Sequence, residues 1–177
     1  MEEHKREPNK LEQINKKIII CRRCDLWKTR TNAVPGQGPP NAKTMMIGEA
    51  PGKYEDRYGI PFIGAAGNIL SEILKEIGLK RKEIYITNIV KCRPPNNRKP
   101  KKEEIEKCTP YLEEQLKIIK PEIIVTLGTY ATKYFLKKGN REFTGMFRTR
   151  GKILKIKINN RETFILPTIH PAATLYN

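Results

Sequence analysis

The chain is short of acid: 19 Asp and Glu stand against 35 Lys and Arg in 177 residues, a net charge of +16. That excess goes far beyond what solubility needs, so a polyanion is the expected partner, nucleic acid first. Thermal adaptation, the competing account, raises Lys and Glu together and leaves the excess unexplained. Long apolar runs are also missing. No stretch approaches the roughly 18 consecutive apolar residues of a membrane span, and the leader MEEHKREPNK has no signal-peptide core. The expectation is a cytoplasmic protein with no membrane contact. Histidine is scarce, with only His4 and His170, and His4 sits in the charged leader, where a solvated side chain is expected. No G-K-S/T phosphate loop, internal repeat, low-complexity tract or dividing linker occurs, so one domain over 1–177 is expected. Its 38% hydrophobic content suffices for a core without disulfide staples.

What is present alternates between strand and helix patterns. Asn9 to Ile20 reads as an amphipathic helix with Leu11, Ile14 and Ile18 on one side. Thr44 to Ile47 reads as a buried strand ending at Gly48. Ala66 to Ile77 follows as a helix whose apolar face is Ile69, Leu70, Ile73, Leu74 and Ile77, stopped by Gly78. Ile84 to Val90 is a second strand, and CRPPNNRKP after it is an exposed loop without regular structure. Lys101 to Ile119 has helical spacing, with Pro110 marking a kink or the first turn of a second helix. Ile123 to Leu127 is a strand and Thr129 to Lys138 a helix. Lys152 to Ile158 and Thr163 to Leu166 form a hairpin across Asn159 and Asn160. This alternation predicts an α/β sheet with helices on both faces.

Chemistry concentrates in four places. Cys21 and Cys24 form a C-x2-C pair, followed by Cys92 and, after 15 intervening residues, Cys108. Without a secretion signal disulfides are disfavoured. A four-thiolate metal site, scattered buried thiols and a redox pair all remain open; the long second gap excludes a zinc knuckle and leans toward an iron-sulfur cluster. Second, GEAPGKYEDRYGIPFIGAAG, Gly48 to Gly67, starts where a strand ends and finishes where a helix begins, the usual ligand edge of an open α/β sheet. Its glycines let backbone approach a ligand. Glu49, Glu55 and Asp56 would repel phosphate and suit a neutral ring, although either Glu could equally cap backbone. Third, His170 in PTIHPAATLYN follows a strand and is bracketed by Pro167 and Pro171, which suits a catalytic or a structural imidazole. Fourth, Asn88 stands near the end of the second strand, where its amide can donate and accept at once, to a base edge or between loops. Phe62, in IPFIG, reads as core.

Taken in order, C-x2-C, GEAPG-x2-ED-x2-G-x-PF-x-G-x-AG, TN-x2-KCRPPNNR, a fourth Cys followed by TPYL, and HPAATLYN resemble the family 4 uracil-DNA glycosylases, iron-sulfur enzymes of bacteria and archaea. The resemblance runs from Cys21 to Asn177. It implies a three-layer α/β/α sandwich around a short, mainly parallel sheet, and a monofunctional DNA N-glycosylase that flips uracil out and hydrolyses its N-glycosidic bond. Cys21, Cys24, Cys92 and Cys108 would hold a structural 4Fe-4S cluster. Phe62 would stack on uracil, Asn88 read its polar edge and His170 hydrogen-bond its O2, with Gly48, Ala50 and Gly52 lining the base site.

Two departures from the better-known uracil glycosylases matter. Their water-positioning Asp is replaced here by Ala50, as is usual in family 4, so Glu49 or Glu55 must handle water. Their thymine-excluding Tyr is replaced by Gly52, which leaves Glu55 as a candidate wall. Members of the family usually continue past the position of Asn177, so a shortened chain or an absent tail is expected. The implied partners are uracil-containing DNA, bound by a monomer, with a replication clamp or downstream repair enzymes as further candidates. Arg93, Arg98, Lys99, Lys101, Lys102, Arg148, Arg150 and Lys152 are the expected phosphate contacts. A broader deaminated-base glycosylase is disfavoured by Glu49. A non-catalytic zinc-bound nucleic-acid module would leave Glu49, Phe62, Asn88 and His170 as coincidences.

Overall fold

The computed structural model describes residues 9–176, so the expectations for His4 and for the chain end at Asn177 lie outside the described residues. Five strands form one sheet in the order β2-β1-β3-β5-β4. They are β1 (Thr44–Gly48), β2 (Tyr85–Asn88), β3 (Ile123–Leu127), β4 (Leu154–Ile158) and β5 (Arg161–Thr168). β2, β1, β3 and β5 are parallel; β4 closes the edge antiparallel to β5. The β4–β5 turn places Asn159 and Asn160 at φ 50° and 62°, the pair of left-handed residues a tight hairpin demands.

Alternation along the strands explains the layers, because successive side chains leave a strand on opposite faces. Met45, Ile47, Tyr85, Ile124 and Ile165 face one side, where they bury Leu11, Ile14 and Ile18 of α1 (Lys10–Ile19), Leu112 and Leu116 of α4 (Lys102–Ile119), and Phe135 of α5 (Thr129–Lys138). Met46, Ile86, Val125 and Leu127 face the other, against Leu70 and Leu74 of α3 (Ala65–Glu76). The architecture is the expected α/β/α sandwich. Among the described residues no helix is long and apolar enough to cross a membrane.

Local chemistry sets the helix ends. In α1 the Asn9 side chain accepts from the Glu12 N–H while Glu12 accepts from the Asn9 N–H, a complete capping box. α4 is one continuous helix through Pro110, not two. The Glu106 carbonyl that Pro110 cannot reach takes a hydrogen bond from the Thr109 hydroxyl at 3.3 Å. The apolar face expected for α3 is narrower than its spacing suggests: Gly67, Leu70 and Leu74 are buried, whereas Ile73 and Ile77 are exposed. The loop after β2 contains one 3₁₀ turn, Pro95–Asn97, where structureless chain was expected.

A short helix absent from the sequence reading, α2 (Lys53–Tyr58), follows β1. Its Gly52 N–H donates to Glu55 and it stops at Gly59 in the left-handed conformation. A four-residue helix, α6 (Met146–Thr149), precedes β4 and is held to β5 by the Gly151 N–H donating to the Pro167 carbonyl.

Candidate functional site

Parallel strands end on one edge of the sheet, and there the structure brings together nearly every residue singled out from sequence. A cleft of about 360 Å³ is lined by Glu49, Ala50, Gly52, Glu55, Phe62, Asn88 and His170, joined by Pro51, Ala66, Pro94, Asn97, Arg98 and Ala172. Gly48 is its floor. A Cβ there would lie 2.5 Å from Asn88 Oδ1 and 2.6 Å from Phe62 Cζ, so no other residue leaves both side chains in place.

Asn88, paired with Gly48 across β1 and β2, is 1% exposed. Its Oδ1 is the one buried side-chain polar atom among the described residues without a hydrogen-bond partner. Such an orphan costs about 1–3 kcal/mol, which a ligand N–H would recover. Phe62 is buried, but in the cleft wall and not simply in core, and its φ of 51° is rare for a bulky residue, a strain of about 1–3 kcal/mol. Gly67 makes that conformation feasible, since a Cβ on it would collide with the Phe62 carbonyl oxygen at 1.9 Å. The Phe62 ring lies 5.8 Å, centroid to centroid, from the ring of His170.

His170 follows β5. Its Nδ1 accepts the Ala172 N–H at 3.2 Å, and burial lowers its pKa, against the opposing pull of Glu55. The neutral imidazole with Nδ1 as acceptor carries its proton on Nε2, a donor free for a ligand carbonyl. Gly128, at φ +93°, lets the β3 end pass close by; a Cβ there would sit 3.1 Å from His170 Cβ.

The two glutamates differ. Glu55 is buried and accepts three backbone N–H bonds, from Gly52 at 3.1 Å, Ile63 at 2.9 Å and Gly64 at 2.8 Å. It organises the loop that carries Phe62, and its Oε2 occupies the space beside Gly52, 2.7 Å from where a Cβ would stand. Glu49 is half-buried, and burial raises its pKa, offset in part by Lys99. Asp56 turns away from the cleft to accept the Thr31 N–H at 2.9 Å. Of the cations expected to grip phosphate, Arg98 lines the cleft with its guanidinium committed to buried Glu104, at 2.6 and 2.9 Å. Arg93 donates to Asn97 at 2.7 Å. Sequence reading missed Asn97 and Ala66, which carry no distinguishing pattern.

Cys21, Cys24, Cys92 and Cys108 gather from three segments around a narrow hollow that Trp27 and Tyr111 also line. None is in a disulfide. Burial holds the Cys108 thiol up at about 12 and raises Cys24 and Cys92 as well. N–H groups point at three of the sulfurs: Arg30 Nη1 at 2.9 Å from Cys92 Sγ, the Lys91 N–H at 3.2 Å from Cys108 Sγ, and the Arg23 N–H at 3.5 Å from Cys21 Sγ. Donors aimed at three of the four sulfurs favour their thiolate form, the form in which cysteine binds a metal or an iron–sulfur group. Among the described residues no three His, Cys, Asp or Glu side chains are arranged to hold a single metal ion.

Comparison with known proteins gives the family. A model of the uracil DNA glycosylase superfamily matches residues 35–177. The chain is 52% identical over 168 residues, 94% of its length and 76% of the relative's, to the type-4 uracil-DNA glycosylase of Sulfurisphaera tokodaii. It is 48% identical over 166 residues, 94% and 83% of the two chains, to that of Archaeoglobus fulgidus. A shorter match, 35% over 131 residues and 66% and 58% of the chains, joins it to the type-5 uracil-DNA glycosylase of Pyrobaculum aerophilum.

Proposed function

The chain belongs to the uracil-DNA glycosylase superfamily, and on that premise we propose that it extrudes uracil from DNA into the cleft and hydrolyses its N-glycosidic bond. The orphaned Asn88 Oδ1 carries this reading. Uracil offers N3–H to that oxygen and O4 to the amide nitrogen, while the Phe62 ring supplies a stacking face. Extrusion costs a few kcal/mol, least where the base is mispaired, so U opposite G is favoured over U opposite A.

As the bond to the sugar breaks, negative charge builds on uracil O2 and positive charge on the sugar. The Nε2–H of neutral His170 stabilises the anion, a contact worth about 2.7–4 kcal/mol in comparable sites. Glu49 faces the cationic side and orients water, the logic of glycoside hydrolysis applied to a nitrogen leaving group. Its lack of the three N–H contacts that engage Glu55 supports that assignment. Among the described residues no lysine lines the cleft, which favours water over an amine nucleophile. Arg93, Lys99, Lys101, Lys102, Arg148, Arg150 and Lys152 supply the phosphate grip, while Arg98 shapes the wall. A reducing cytoplasm suits a monomer with four free thiols.

In this reading Cys21, Cys24, Cys92 and Cys108 hold a 4Fe-4S cluster. A bound cluster would supply iron–sulfur bonds to the segment after α1, the loop after β2 and α4. Cys92→Ser is expected to lose iron and to melt about 10 °C lower or more, since metal binding here is folding energy and each kcal/mol is worth roughly 2–4 °C at this length. Unchanged iron per chain would overturn the ligand set.

The direct test is a uracil-containing oligonucleotide incubated with the protein, then alkali and sizing. Strand cleavage at uracil supports the proposal; binding without base release overturns it. Gly48→Ala is expected to slow release about 100-fold by pushing Phe62 and Asn88 off the base. Iron content and affinity for uracil-free duplex should stay at parental levels in that variant, and single-turnover rates beside a binding assay would check both.

A further inference from the structure

Lys91 is a fully buried charge that the mechanism leaves unused. It is 1% exposed, between Asn88 and Cys92 in sequence, and lysine is almost never buried without a reason. Its Nζ donates to Thr87 Oγ1 at 2.6 Å, to the Asn88 carbonyl oxygen at 2.7 Å and to Gln115 Oε1 at 2.8 Å.

Each side-chain acceptor is oriented from behind. The Thr87 hydroxyl donates to the Pro35 carbonyl at 2.7 Å, which turns a lone pair toward Lys91. The Gln115 amide nitrogen donates to the same carbonyl and to Tyr85 Oη, both at 3.0 Å, which turns its oxygen toward Lys91. Three acceptors require three hydrogens, and only the ammonium form has them. The three acceptors on Nζ make the ammonium the form that fits the site. Burying an ammonium is costly, and an apolar side chain of equal length would fill the space without that cost.

We propose that Lys91 is a positioning residue for base recognition: its ammonium clamps the Asn88 carbonyl and Thr87 hydroxyl, fixing the end of β2 so that Asn88 Oδ1 faces the cleft. The clamp closes a turn over three residues where the chain leaves the sheet. The N–H of the same residue reaches Cys108, so one side chain and its backbone join the base reader, α4 and the thiol hollow. The proposal rests on the reading of Asn88 as the group that meets uracil.

The experiment is a double-mutant cycle on the full chain with its iron, read by single-turnover uracil release, inhibition by free uracil, iron content and affinity for uracil-free duplex. Lys91→Met keeps the length and removes all three donors. It should slow uracil release and weaken free-uracil inhibition about 100-fold, as a displaced reacting contact does. Iron content and duplex affinity should stay within about twofold of the parent, and in an Asn88→Ala background the same substitution should cost less than about twofold. Equal losses in both backgrounds, or an unchanged rate, overturn the proposal. If Lys91→Met does not fold, Gln115→Met enters the same cycle. It removes one acceptor and leaves the ammonium in place. A loss confined to the Asn88-containing background supports the clamp; equal losses overturn it. A parent that releases no uracil, or an Asn88→Ala as fast as the parent, overturns the reading of the cleft itself, which separates that failure from failure of the clamp.

Discussion

Glu49→Gln is expected to slow uracil excision by about 10²–10⁴-fold, the range for losing a positioned proton-handling group. The substitution keeps the shape of the side chain and removes its charge. In the proposed mechanism Glu49 works ionised, accepting a hydrogen from water and facing the developing sugar cation. Burial raises its pKa above the ordinary glutamate value, with Lys99 pulling the other way. Rate should therefore be full at pH well above that raised value and fall as pH drops through it, earlier than an exposed carboxylate would allow. Burial lowers the His170 pKa, so its neutral form persists to lower pH than that of an exposed imidazole. In Glu49→Gln the part of the acid limb that belongs to Glu49 should vanish along with most of the rate. Glu55→Gln should behave differently, because its oxygens accept three loop N–H bonds: the base site loosens while the acid limb persists. Single-turnover pH profiles of the two variants decide it. A Glu49→Gln as fast as the parent, beside a silent Glu55→Gln without an acid limb, would exchange the two roles.

The difference between the glutamates shows where sequence reading stops. GEAPG after a β-branched and apolar run placed Glu49 at a strand end, because alternation and chain punctuation are local signals. What engages Glu55 are the N–H groups of residues 63 and 64, brought over it by a loop whose path depends on Phe62 taking a positive φ and on Gly67 admitting it. No periodicity announces such a closure. The same holds for α2: six residues are too few for a 3.6-residue pattern, though Gly52-x-x-Glu55 and Gly59 were its start and stop marks. Ile73 lies to one side of the Leu70–Leu74 stripe that the sheet covers, and Ile77 follows the last residue of α3. Lys91 was invisible for the opposite reason, since its residue type argues for solvent and only Thr87, the Asn88 carbonyl and Gln115, the last contributed from α4, make burial tolerable. Arg98 likewise read as a free phosphate contact until Glu104 claimed it. Elements and the gathering of motifs at one sheet edge follow from local patterns; the assignment of partners among buried charges follows from tertiary closure.

Base selectivity is the property that the same closure leaves on one side chain. Asn88 lines the cleft and carries an orphaned carbonyl oxygen, the group that reads the base in the proposed function. Uracil meets it with N3–H and meets the amide nitrogen with O4; cytosine brings a bare N3 and an amine, so donors face donors and acceptors face acceptors. Buried mismatches of that kind cost about 1–3 kcal/mol for each polar group left unpaired, and two of them disfavour cytosine by a factor of about 10²–10⁴. Asn88→Asp converts the amide nitrogen to a second acceptor. A carboxylate can take a hydrogen from cytosine's amine but has none to give O4. Uracil release should fall about 100-fold or more while a small cytosine release appears, with the discrimination ratio falling from both ends. Protonation would restore a donor on the Asp side chain, so acidification should raise the uracil rate of this variant relative to the parent, both sharing the acid limb of Glu49. A variant-to-parent rate ratio that rises as pH falls, measured on oligonucleotides carrying one U or one C, is the result a base-reading residue gives. A purely structural Asn88 would leave the U-to-C ratio unchanged and the two pH profiles parallel.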